Sequence, residues 1–129
     1  MHITGIYVAL ATLLVLVLST RVVVRRLSQR IGLGDGEDRE LRKRIRAQAN
    51  AIEYLPLALL LLGSLEWNQT QPAILHACGI VLIVARVLHG FGLSRSGGMS
   101  AGRLTGTGLT WTVMLVMAVL LIWQFVVLH

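Results

Sequence analysis

Four apolar stretches of roughly twenty residues each, joined by three short polar connections, constrain this chain more than anything else in it. The hydrocarbon core of a bilayer is about 30 Å thick and a helix rises about 1.5 Å per residue, so each stretch is long enough to cross. No stretch alternates polar and apolar residues as a membrane β-barrel strand does. Helices are the spanning structure that remains, because lipid offers no partner to an unpaired backbone amide. The composition agrees, with 55% of the 129 residues hydrophobic and only 14% charged, far from the soluble average. The expected fold class is an all-α integral membrane protein, one four-helix membrane domain over residues 1–129, with helices near 3–27, 38–65, 72–93 and 102–127.

The first run starts at Ile3 with no basic residues ahead of it and is too long for the core of a signal peptide, so it is read as a spanning helix. Arg21, Arg25, Arg26 and Arg30 close it. The connection that follows, GLGDGEDRE from Gly32 to Glu40, reads as a mobile hydrated loop. Acids at its end complement the dipole of the second helix, which carries Pro56 inside it, where a kink or an opened turn is expected. Pro72 suits the first turn of the third helix. Trp111 and Trp123 in the fourth fall at depths typical of interfacial aromatics.

The net charge is +6 and the pI about 11.1, yet no basic face interleaved with aromatics lies outside the apolar runs. Nucleic acid is therefore not expected as a partner. Membrane lipids with anionic headgroups and a small anionic ligand suit this charge better. Nine of the twelve Lys and Arg fall between Arg21 and Arg46, and Arg95 and Arg103 border the third connection. The positive-inside rule then puts the first and third connections in the cytoplasm and both termini outside. The single cysteine, Cys78, permits no intrachain disulfide and reads as a small buried apolar residue.

Ionisable groups within a bilayer are costly and mark sites. Arg46, Asn50 and Glu53 are spaced i, i+4 and i+7 in the second helix and share one face. Arg86 and His89 stand at i and i+3 in the third helix, and Arg103 opens the fourth. The antiparallel arrangement puts all six in one layer near the cytoplasmic side. Singly, each has an ordinary explanation: Arg46 snorkelling, Arg103 a loop charge, Glu53 and Arg86 an ion pair between helices. Together, with positive charge in excess, they suit an anionic ligand making several hydrogen bonds. No serine-hydrolase, zinc-protease, nucleotide-loop or dinucleotide pattern is present.

RAQANAIEYLP at Arg46 to Pro56, ARVLHGFGL at Ala85 to Leu93 and the basic Arg103 resemble the membrane-associated proteins in eicosanoid and glutathione metabolism (the MAPEG family). The first motif is most similar to that of the leukotriene C4 synthase branch. The resemblance implies a homotrimer of four-helix subunits with glutathione, as cosubstrate, bound between neighbours near the cytoplasmic side. It also implies that Arg46, Asn50, Glu53 and Tyr54 hold the tripeptide, Gln48 and Arg25 add contacts, and Arg86 and His89 line the same pocket. Arg103 matches an arginine that stabilises the glutathione thiolate, and Arg26 a second one near the electrophile. Leu93 and Leu104 depart from the pattern, standing where catalytic branches carry tyrosine and serine, whereas Thr105 and Thr107 offer hydroxyls close by.

The expected function is a membrane-embedded, glutathione-dependent transferase or peroxidase acting on a lipophilic small-molecule substrate, an electrophile or a lipid hydroperoxide, in a bacterial inner membrane. The alternative is a non-enzymatic lipid-binding or partner protein of the same fold. A four-helix proton-coupled exporter is disfavoured, because the signature acid of such proteins lies in the first helix and Ile3 to Thr20 contains none.

Overall fold

The computed structural model describes residues 2–95 and 100–128, with residues 93–95 and 128 described by their backbone alone. It consists of four α-helices, α1 (His2–Gln29), α2 (Arg39–Trp67), α3 (Pro72–Arg95) and α4 (Ala101–Leu128). All four are long and apolar enough to cross a membrane. The expected all-α, four-helix membrane architecture is the one found.

The helix ends follow from local chemistry. Asp38 caps α2, its carboxylate accepting the Leu41 amide at 2.8 Å. Pro72 opens α3, where its missing N–H removes nothing from the helix. Ser100 precedes α4 and accepts the Arg103 amide at 3.2 Å. The start of α1 is capped from a distance: the Glu66 carboxylate, on the last turn of α2, accepts the amides of Ile3 at 3.0 Å and Thr4 at 2.8 Å. α2 stays helical through Pro56, which lies on an exposed face.

α2 and α3 form the inner pair. α1 packs on both from one side and α4 on both from the other, and among the described residues α1 and α4 do not meet. The buried stripe of α1, Thr4, Tyr7, Ala11, Leu14, Leu18 and Val22, repeats at three and four residues, which makes one helical face. It meets Ala47, Ala51, Leu55 and Ala58 of α2, whose short side chains let the helices approach closely. The outer faces of α1 and α4 carry exposed Leu, Val, Ile, Phe and Trp along their length, a surface suited to lipid rather than water.

α3 and α4 approach most closely at glycines. A Cβ added at Gly106 would lie 2.7 Å from both the Ala85 carbonyl and the His89 nitrogen, and one at Gly92 would lie 2.9 Å from the Arg103 nitrogen. The first connection, expected to be a mobile loop, is strapped to its neighbours. Asp35 pairs with Arg42 at 2.6 Å and accepts the Glu37 amide, and Arg26 donates to the Gly34 carbonyl at 2.7 Å.

Candidate functional site

At the basic end of the bundle, α3 places Arg86 in the interior, 2% exposed. Its Nη1 donates to Asn50 Oδ1 of α2 at 2.7 Å, and its guanidinium carbon lies 5.4 Å from the centre of the Tyr54 ring. Nε and Nη2, both buried, have no hydrogen-bond partner among the described residues. The sequence left room for an ion pair between Glu53 and Arg86, and the structure replaces it. Asn50, one turn earlier, is the residue that reaches Arg86. Glu53 lies exposed on the outer side of α2 and makes no polar contact among the described residues. A buried cation with unsatisfied donors is costly, by several kcal/mol for an unpaired charge. A fold keeps such a group most readily where something else completes it.

Arg46 and Glu53 share the exposed side of α2, and Asn50 and Tyr54 beside them are half-buried. The glycine contacts set α4 against α3 so that Arg103 lies level with Gly92 and Gly106 level with His89. His89 is buried, and the charges of Arg86 and Arg103 both lie close enough to act on it. Arg103 is half-buried with a side chain that makes no ion pair or hydrogen bond among the described residues. Leu104 next to it is exposed, as is Thr105, and Thr107 is half-buried. The side chains of Leu93 and Arg95 lie outside the described residues. Arg46, Asn50, Glu53, Tyr54, Arg86, His89 and Arg103 thus gather at one end of α2, α3 and α4.

The remaining expected residues lie elsewhere. Gln48 is two residues from both Arg46 and Asn50, a step that sends it to another side of α2, where it donates to Ser19 of α1 at 2.8 Å. Arg25 makes a two-point contact with Asp38, Nη2 to Oδ2 at 2.7 Å and Nε to Oδ1 at 3.4 Å. Arg26 is held at the first connection by the Gly34 carbonyl. The Leu41 amide, and after it the Arg25 guanidinium, keep the Asp38 carboxyl below the usual carboxylate range. Arg42 followed by the Glu37 amide does the same for Asp35.

Two contributors escaped the sequence reading. Trp111, taken for an interfacial aromatic, donates its indole N–H to the Tyr54 hydroxyl at 3.1 Å. Nothing in a linear pattern links residues 57 apart. The close approach of α3 and α4 did leave a trace, since Gly102 and Gly106 are spaced as in the small-residue motif of packed membrane helices.

Two relatives give this arrangement a context. The chain is 34% identical over 121 residues to the inner membrane protein YecN of Escherichia coli strain K12, covering 94% of this chain and 91% of that one. The protein of the same name from E. coli O6:H1 matches to the same extent. The MAPEG family matches residues 4–123, which take in all four helices and every residue of the site. The chain is an integral membrane protein and belongs to the MAPEG family.

Proposed function

We propose that this protein is a glutathione-dependent transferase or peroxidase of the bacterial inner membrane, taking glutathione from the cytoplasm and a lipophilic electrophile or lipid hydroperoxide from the bilayer. The observation that carries the reading is Arg86, a buried guanidinium with two donors unmet. Glutathione offers two carboxylates and one ammonium. Arg86 and Arg46 suit the carboxylates, and Glu53, unpaired among the described residues, suits the ammonium. Asn50 and Tyr54 supply neutral hydrogen bonds between them.

Glutathione supplies the chemistry, a thiol whose anion attacks an electrophile or reduces a hydroperoxide. Arg103 contributes positive charge at the level of Gly92 and favours the anionic form of a thiol held there. Leu104 brings no hydroxyl beside it, which favours general thiolate chemistry over the specialised eicosanoid reactions.

The divided placement of the residues supports a homotrimer. Arg25 and Gln48 lie on the α1 side of α2, whereas Asn50, Tyr54 and Arg86 lie on the α3 and α4 side. The two sets face different neighbours within one chain. A ring of three sets the first side of each subunit against the second side of the next, with Arg26 beside the incoming electrophile. The excess of Lys and Arg in the first and third connections supports a site on the cytoplasmic side with the termini outside.

A glutathione titration in detergent tests the reading. Wild type is expected to bind, Arg46→Ala to bind at least tenfold more weakly, and Arg103→Ala to bind but lose thiolate absorbance near neutral pH. Failure of the wild type to bind at millimolar glutathione would sink the proposal. It would favour the lipid-binding or partner role, which the exposed Leu104 beside Arg103 also suits.

A further inference from the structure

Tyr54 and Trp111 line an apolar groove between α2 and α4, about 400 Å³ in volume, together with Leu57, Leu61, Met114, Leu115 and Ala118, and the Tyr54 hydroxyl meets the Trp111 indole there. The hydroxyl oxygen of Tyr54 accepts the indole N–H at 3.1 Å, and its own proton meets no acceptor among the described residues. The face of the same ring carries the Arg86 guanidinium, whose Nη1 reaches Asn50. These contacts form one chain across three helices, from Trp111 on α4 through Tyr54 on α2 to Arg86 on α3 and from there back to Asn50 on α2.

We infer that Trp111 is a positioning residue for the glutathione site: its indole N–H fixes the Tyr54 hydroxyl, and with it the ring that supports Arg86. The inference rests on the proposed glutathione reading for its ligand and on the geometry alone for the contact. Three physical consequences follow. Trp111 occupies one of the two lone pairs of the phenol and leaves the O–H free as a donor to the ligand. A hydroxyl that already accepts a hydrogen bond is polarised into a stronger donor, most effectively where water is scarce. A tyrosine held at its hydroxyl also loses the ring swing that would carry its face away from Arg86, so the cation contact is organised before the ligand arrives. Among the described residues Trp111 makes no polar or cation–π contact with the charged groups of the site and acts through Tyr54.

Two measurements test this on the full-length protein in detergent. The first needs no ligand. In a Trp67→Phe, Trp123→Phe background, where Trp111 is the sole indole, Tyr54→Phe removes the acceptor and is expected to shift the Trp111 emission maximum. The second is a glutathione titration. Trp111→Phe keeps an aromatic ring against α2 but loses the donor, and is expected to weaken binding about fivefold, the factor that one net hydrogen bond represents. Tyr54→Phe weakens it further by removing the ligand's own donor, and adding Trp111→Phe to Tyr54→Phe changes binding no more. Unchanged binding in Trp111→Phe, or losses that add in full in the double variant, overturns the positioning role and leaves Trp111 as packing. If wild type does not bind glutathione, the functional proposal falls by itself. The emission measurement then decides the contact, a shift supporting it and a null result overturning it.

Discussion

The two ends of the bundle treat their polar groups in opposite ways. At the end away from the arginines the charged and bridging side chains are held by protein partners, and the unmet group there is the small, neutral Thr4 hydroxyl. Glu66 closes on the first turn of α1, the Tyr7 hydroxyl meets His76 Nδ1 at 2.8 Å, and Gln124 bridges Asn68 and Thr70. At the basic end Arg86 is buried with two donors unmet, and among the described residues Arg46, Glu53 and Arg103 make no polar contacts with their side chains. Both ends lie in the same bundle and share the same packing. The difference teaches that unmet polar groups are not a general property of this fold. Among the described residues the unmet buried charged donors belong to Arg86, at the basic end.

Substitutions can break or sharpen that contrast. The largest expected effect is on binding. Arg86→Met, similar in length and apolar, should weaken glutathione affinity roughly ten- to a hundredfold, as loss of charge-assisted hydrogen bonds implies. Thermal stability should hold or rise, because the variant removes a half-satisfied buried charge. A fall in stability with unchanged affinity would make Arg86 a structural residue and erase the contrast. Next comes Gly106→Ala, level with His89 at the basic end. The added Cβ meets backbone at 2.7 Å, so α4 must move from α3, at about 1–3 kcal/mol in an unfolding titration. At the closed end, Glu66→Ala should lower stability by about 1 kcal/mol through loss of the α1 cap. It should leave glutathione affinity untouched, and a change in affinity would show that the ends are coupled.

The smallest effect concerns pH. Asp35 and Asp38 are held below the usual carboxylate range. Their contribution is therefore present above the ordinary carboxyl value, near pH 4, and is lost as pH falls through their depressed values. Hydrogen exchange at the Leu41 amide, which Asp38 caps, should stay slow and flat from pH 5 upward once corrected for intrinsic rates, and should quicken only in stronger acid. Loosening at pH 6 would mean that a group other than these two carboxylates holds the connection.

The helices were legible because spanning a bilayer demands a length of apolar sequence that few other structures need. The face of Arg46, Asn50 and Glu53 was legible from helical spacing. The partner of Arg86 was not. Asn50 and Glu53 are one turn apart, and charge favoured Glu53, but the approach of α3 to the inner side of α2 brings Asn50 to the guanidinium and leaves Glu53 outside. The first connection misled for a related reason: three glycines and four acids describe a loop equally well whether or not Arg25, Arg26 and Arg42 reach back to it. Trp111 lay beyond sequence reasoning altogether, since its role depends on the depth at which α4 meets α2.

The clasps at the two ends of α1 and α2 have a consequence for how the protein is made. Asp38 with Arg25 at one end and Glu66 with the first turn of α1 at the other turn these two helices into a hairpin fastened top and bottom. α3 and α4 form a second hairpin, joined by their glycine seam. Asn50 belongs to the first and Arg86 to the second, so neither hairpin holds the site alone. During insertion into the membrane the contact between Arg86 and Asn50 forms only when the hairpins dock, so a buried arginine with its partner in place marks a chain whose two halves have met.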